Sequence, residues 1–114
     1  MIKESTARNL ILSMPEAVEG EHMNHPDFRV RKKIFATLWP DESKAVVFVD
    51  PETHDELVGE NPDAFSLNGW SAKYGALTVH LKHVSKSLFQ SLVRESWARK
   101  APKALVAEHS GKKK

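Results

Sequence analysis

Four cationic side chains stand within five residues of one another: Arg29, Arg31, Lys32 and Lys33. Apolar segments flank them on both sides, which predicts that they lie at the turn of a β-hairpin. A protruding turn of this composition could lay its charges along a phosphate backbone and so contact nucleic acid. Because turns are commonly charged, a solvated hairpin tip is the more frequent explanation, and an acidic protein partner is a further alternative.

A second candidate site is the segment 67–74, in which Lys73 lies between Trp70 and Tyr74. The two aromatic rings could stack on a base or seat a peptide, and the lysine could assist a phosphate contact. Packing of both rings against the end of the sheet is the favoured alternative. The sequence therefore predicts a partner surface here only as the second choice.

The remaining chemistry-bearing residues do not form a recognisable centre. His22, His25 and Asp27 are spaced like metal ligands, but Pro26 interrupts the segment, so surface or structural histidines are favoured and no cofactor is predicted. A small-molecule or metal-dependent enzyme stays open as a third alternative. The chain has no cysteine, no nucleophile elbow and no glycine-rich phosphate loop. Its neighbouring carboxylates, such as Asp41 and Glu42, point apart in a turn. We therefore expect no catalytic residues and a protein that is not an enzyme.

The elements that must position these residues follow from periodicity and from helix-capping residues. Capped helices are predicted at Ser5, where apolar residues recur to Met14, at Asp50, ending near Gly59, and at Ser85, ending before Pro102. On the last helix, Arg99 and Lys100 are interpreted as offsetting the helix dipole together with Lys103, and insertion into a DNA groove is disfavoured. Predicted strands, the first of them an edge strand, span residues 16–23, 28–30, 34–39, 44–49 and 76–82.

Length and composition set the frame for these elements. A chain of 114 residues, 40% apolar and 28% charged, suits one globular domain, predicted over residues 1–108 with a flexible basic tail at 109–114. No apolar run is long enough to span a bilayer, and no secretory signal is recognised, so the cytoplasm is the plainest expectation. Residues 1–57 hold 7 basic and 11 acidic residues, a balance of −4, and residues 58–114 hold 10 and 4, a balance of +6. This asymmetry suggests an anionic partner.

Several segments, taken in order, resemble the MmcQ/YjbR-like family. They are Met14 to Glu21, Phe28-Arg29-Val30 followed by Lys33-Ile34-Phe35-Ala36, Pro51 with its helix, Gly69-Trp70, and Trp97 through Ala101-Pro102-Lys103. The resemblance covers residues 7–105 and implies a two-layer fold similar to secretion-chaperone-like (CyaY-like) domains, often labelled DNA-binding. It implies no catalytic residue set. The family usually has glycine in the hairpin turn, whereas this chain has Arg31-Lys32-Lys33.

These observations predict a two-layer α+β domain, in which an antiparallel sheet packs against N- and C-terminal helices with a short helix between strands. The predicted function is a non-enzymatic binding module. Its partner is expected to be DNA or another polyanion, held by the basic hairpin with help from Lys73 and the lysine tail. The alternative is a protein-interaction adaptor of chaperone-like shape. No membrane contact is expected, and the sequence does not indicate an oligomeric state.

Overall fold

The computed structural model describes residues 2–22, 25–67 and 75–110. Over these residues the chain forms four α-helices and six β-strands, with a 3₁₀ turn at Pro40–Glu42. In chain order these are α1 (Glu4–Leu12), β1 (Ala17–His22), β2 (His25–Val30), β3 (Lys33–Trp39), β4 (Lys44–Phe48), α2 (Pro51–Glu60), β5 (Phe65–Leu67), β6 (Ala76–His80), α3 (Lys86–Lys100) and α4 (Lys103–Ser110).

The six strands form one sheet in the order β1-β2-β3-β4-β6-β5, and every neighbouring pair is antiparallel. The first four strands form a meander, whereas α2 carries the chain from β4 across β6 to the far edge. β1 and β5 are therefore the two edge strands. The predicted α+β class with an antiparallel sheet is confirmed, as is the predicted edge strand at the start of the sheet.

Helices α1 and α3 cover one face of this sheet. Along each strand, alternate residues point towards the helices, and the central ones are fully buried, as Phe28, Leu38 and Val47 show. Helix α1 contributes Ala7 and Ile11 to the same core. Helix α3 contributes its apolar face, namely Phe89, Leu92, Val93 and Trp97. The Trp97 indole also donates to the Pro15 carbonyl at 2.9 Å, which joins α3 to the turn between α1 and β1.

Local capping signals predicted two of the three helix starts correctly. The Asp50 carboxylate accepts from the Glu52 amide at 3.1 Å, and the Ser85 hydroxyl accepts from the Leu88 amide at 3.2 Å. Ser5 is not a cap: α1 begins one residue earlier, at Glu4, and Lys3 precedes it without a side-chain bond. The Glu4 carboxylate instead pairs with Arg8 one turn along the helix.

Tertiary contacts account for the elements that local pattern missed. Strand β2 runs through Pro26, which is possible because its ladder with β3 begins only at Asp27. Strand β5 has three residues, too few for a period, and α4 is held by Leu105, which is buried in the core. No helix among the described residues has the length and apolarity needed to cross a membrane.

A single hydroxyl joins α3 to the middle of the sheet. The register of β3 and β4 places Phe35 opposite Phe48, one step beyond the last paired residues, Ala36 and Val47. Here the fully buried Ser96 hydroxyl donates to the Phe35 carbonyl and accepts from the Phe48 amide at 2.8 Å. A β-bulge in the β2–β3 ladder lies at the same level, between Arg29 and Ile34 on one side and Phe28 and Ala36 on the other. The hydroxyl thus continues the β3–β4 ladder where the strands separate.

Replacement of Ser96 by alanine should lower the free energy of unfolding by about 2 kcal/mol, because a buried carbonyl and a partly buried amide would both lose their partner. Urea denaturation measures this change. Ser91→Ala is the matched control, since Ser91 is exposed on the same helix and its removal should cost less than about 0.5 kcal/mol. Equal losses in the two variants would contradict the bridging role of Ser96.

Candidate nucleic-acid interface

The turn between β2 and β3 is tighter than the sequence predicted. Lys33 pairs with Val30 as the first residue of β3, so the loop contains only Arg31 and Lys32. Both have positive φ, 51° and 74°, as in the type I′ turns that match the twist of a hairpin. Glycine and asparagine usually occupy such positions, because a side chain in the left-handed region costs about 1–2 kcal/mol. The domain tolerates this strain and displays two long cationic side chains at its tip.

Arg29 is held by a buried carboxylate. Its Nε and Nη2 atoms donate to the two carboxylate oxygens of Asp27, each at 3.2 Å, and the Asp27 side chain is fully buried. The hydrogen bonds to Asp27 raise the pKa of the Arg29 guanidinium. Gly20 of β1 lies opposite Asp27, where an added Cβ would stand 3.0 Å from the carboxylate oxygen Oδ1. Glycine therefore leaves room for this ion pair beneath the edge strand.

Arg31 is also engaged within the domain. Its guanidinium donates to both carboxylate oxygens of Glu16, with a distance of 2.9 Å from Nη2 to Oε2. These hydrogen bonds raise the pKa of Arg31, and the negative charge of Glu108 on α4 adds to the effect. Glu16 itself has a positive φ of 60° just before β1. The ion pair thus joins two left-handed turns at one end of the molecule.

The lysines of the hairpin have a different environment. Lys32 and Lys33 are exposed, and no ion pair within the described residues neutralises either of them. Lys33 lies close enough to Lys100, the last residue of α3, for the two charges to repel each other. Partial burial lowers the pKa of Lys100, and the charges of Arg99 and Lys33 lower it further. The Lys100 ammonium lies 4.4 Å from the centre of the Phe48 ring.

We call Lys32, Lys33, Arg99 and Lys100 the basic corner. The corner combines the hairpin tip with the C-terminal end of α3, two segments more than 60 residues apart in the chain. Positive charges repel one another in the free protein, and an anion that binds among them relieves this repulsion and is thereby stabilised. The sequence interpretation of Arg99 and Lys100 as partners of the helix dipole did not include the proximity of Lys100 to Lys33, which no local pattern could indicate.

The other predicted site residues have mixed outcomes. Trp70, Lys73, Tyr74 and the lysine tail lie outside the described residues, so the predictions for them stay predictions. His25 stacks on Trp39, with 3.7 Å between ring centres, and Lys44 lies 5.4 Å from the same indole. Asp27 is bonded to Arg29. The described part of the chain contains no cluster of three or more metal-ligating side chains.

A family model named YjbR matches residues 12–99, which is most of the chain. The chain belongs to the YjbR family. The family resemblance indicated by the hairpin and the C-terminal motif is thereby confirmed. This YjbR domain also resembles the crystal structure of Deinococcus radiodurans protein DR2400, which carries a domain of the family DUF419. The two share 22% identity over 97% of this chain and 89% of that one, with a TM-score of 0.79, and so share the fold. No functionally curated protein matches the chain significantly.

Replacement of Lys32 by glycine should raise the free energy of unfolding by about 0.5–1 kcal/mol, because loss of the left-handed strain outweighs the extra chain entropy of glycine. Chemical denaturation measures it. Lys33→Gly is the matched control: it removes the same charge from a regular strand position and should instead destabilise the domain by about 0.5–1 kcal/mol. Destabilisation by both substitutions would contradict the strained-turn description.

Proposed function

We propose that this YjbR domain is a non-enzymatic binding module for polyanions, DNA foremost, and that the basic corner is its contact surface. The observation that carries the proposal is the approach of Lys33 on the hairpin to Lys100, which ends α3 next to Arg99. A surface built from two separate elements presents its cations over a wider area than a turn alone. Such an area suits the repeated phosphates of a nucleic-acid backbone.

The domain would contact the phosphates of the nucleic-acid backbone and make few contacts to the bases, so binding would depend little on sequence. Helix α3 meets the partner with its C-terminal end, where backbone carbonyls point outward and Arg99 and Lys100 offset their negative potential. The exposed side of α3 offers Arg94, whereas the neighbouring Glu95 side chain accepts from the Asp50 amide at 3.2 Å. A helix placed in the major groove needs a basic outer face, so contacts at the corner are favoured over groove insertion.

The pairing of the two hairpin arginines changes which residues should matter most. Arg29 and Arg31 are engaged by Asp27 and Glu16, so their charges are largely compensated within the domain. Lys32 and Lys33 have no such partner among the described residues. We therefore expect the lysines to supply most of the counterion release on binding, and the arginines to hold the hairpin in place.

Fluorescence anisotropy of a short labelled duplex, titrated at several salt concentrations, tests the proposal. Wild type should bind with an affinity that falls steeply with salt. Lys32→Ala with Lys33→Ala should reduce the slope of log K against log salt by about 2, and Arg99→Ala with Lys100→Ala should do the same, since each phosphate contact contributes about 0.9.

Lys82→Ala with Lys86→Ala is the matched control for this titration. Both lysines are exposed. Lys86 is the first residue of α3, about 21 Å along the helix from Lys100, and Lys82 lies in the turn before it. The control pair removes the same net charge and should leave the slope nearly unchanged. Absence of binding by wild type at low salt, or an equal loss in the control pair, would refute the proposal.

A second candidate function is the protein-interaction adaptor, and a different feature favours it. Strand β1 is an edge strand with Val18 63% exposed, the one large apolar side chain of the described residues that is so open to solvent. An exposed sheet edge can accept a strand from another chain. The two functions use different surfaces and do not exclude each other.

A further inference from the structure

The edge formed by β1 is open along most of its length. The four consecutive residues Val18, Glu19, Gly20 and Glu21 are all exposed. Strand β2 pairs with β1 on one side, and none of the other strands formed by the described residues lies on the opposite side. The strand therefore presents a row of backbone groups outside the sheet.

The register identifies which backbone groups point outward. The Ala17 amide donates to the Met14 carbonyl at 3.1 Å and so does not bond to Val30, its partner residue on β2. In an antiparallel pair, hydrogen-bonded and non-hydrogen-bonded positions alternate. The backbone N–H and C=O groups of Val18 and Gly20 accordingly point towards β2. The N–H and C=O groups of Glu19 and Glu21 then point away from the sheet, where an added strand would meet them.

The side chains of β1 divide between the two faces of the sheet. Val18 lies opposite Arg29, on the face turned away from α1 and α3. Glu19 lies opposite Phe28 on the helix face, where its carboxylate pairs with Arg8 of α1. Glu21 follows on that same face and has no ion pair within the described residues. An added strand would thus meet an apolar side chain on one face and carboxylates on the other.

A cleft of about 470 Å³ adjoins this edge. It is lined by Glu19, Gly20, Glu21, His25 and Pro26, from β1 and the beginning of β2. The exposed backbone of Gly20, which carries no side chain, lets another chain approach closely. The acidic edge, the outward backbone groups and the cleft therefore coincide at one place.

We infer that β1 binds an extended segment of a partner protein by strand addition, and that this segment alternates lysine or arginine with apolar residues. The inference rests on the adaptor function and names the chemistry of its partner. Backbone bonds at Glu19 and Glu21 hold the added strand, and its apolar residues face Val18. Its basic residues face Glu21 and Glu19; Arg8 engages Glu19 but also Glu4, so two carboxylates share one arginine and the site stays acidic. A second copy of β1 is a poor partner, because the carboxylates of the two copies would face one another and repel.

A soluble peptide of alternating lysine and valine provides the probe, with glutamate–valine and threonine–valine peptides of equal length beside it. Hydrogen exchange and amide chemical shifts should show protection of the Glu19 and Glu21 amides by the lysine peptide. The lysine peptide should bind at least tenfold more tightly than the glutamate peptide. Glu21→Lys should weaken the lysine peptide and strengthen the glutamate peptide, which a variant that merely unfolds could not do.

Asp63→Lys is the matched control, because Asp63 is exposed beside β5 at the opposite edge and its reversal changes the net charge equally. It should leave the preference of β1 unchanged. Equal binding of the threonine and lysine peptides would overturn the basic partner while leaving the adaptor function intact. No binding of any peptide, or a dimer in light scattering that protects the β1 amides, would overturn strand addition itself.

Discussion

The two hydrogen bonds of the Ser96 hydroxyl position helix α3 against strands β3 and β4 of the sheet. The hydroxyl lies where β3 and β4 would otherwise leave one carbonyl and one amide unmatched, and it satisfies both from α3. Lys100 follows one helical turn later on the same side of α3, so anchoring Ser96 brings the Lys100 ammonium to the Phe48 ring. Lys33 lies two residues before Phe35 on β3, the strand whose carbonyl accepts the Ser96 hydrogen bond. Together with the buried apolar face of α3, this hydroxyl fixes the helix end near the hairpin and so brings the basic corner together.

Arginine and lysine have separate tasks in this arrangement. The two hairpin arginines form bidentate pairs with Asp27 and Glu16, as the planar guanidinium favours. The hairpin lysines Lys32 and Lys33, which are compact charges on flexible stems, remain exposed to solvent. The uneven charge distribution along the sequence is reflected in the ion pairs. Acidic residues of the first half of the sequence, residues 1–57, neutralise the arginines of that same half. Four of the cations that have no ion pair among the described residues, two from each half of the sequence, form the basic corner.

Sequence predicted the parts of the fold that depend on near neighbours. Asp50 and Ser85 cap their helices because each bonds an amide two or three residues ahead, and the continuous apolar run of β4 indicates a strand whose three central residues are buried. In β6 the alternation of apolar and polar residues does not match burial, because Thr78 is buried together with its apolar neighbours. The corner could not be predicted in this way. Its geometry depends on Ser96, which in the sequence is only a small polar residue of the last helix. It also depends on contacts between residues more than 60 positions apart in the chain. The turn at Arg31 and Lys32 was mispredicted by one residue, because no glycine marks its left-handed positions.

The place of Ser96 late in the chain has a consequence for synthesis on the ribosome. All six strands precede α3 in the sequence, so the apolar face of the sheet and the open end between β3 and β4 exist before the helix that completes them. The bonds from Ile2 to Leu81 and from Trp97 to Pro15 likewise join early residues to late ones. Contacts of such long sequence separation slow folding. We expect the nascent chain to expose its sheet until α3 emerges, and to depend on protection from aggregation during that interval.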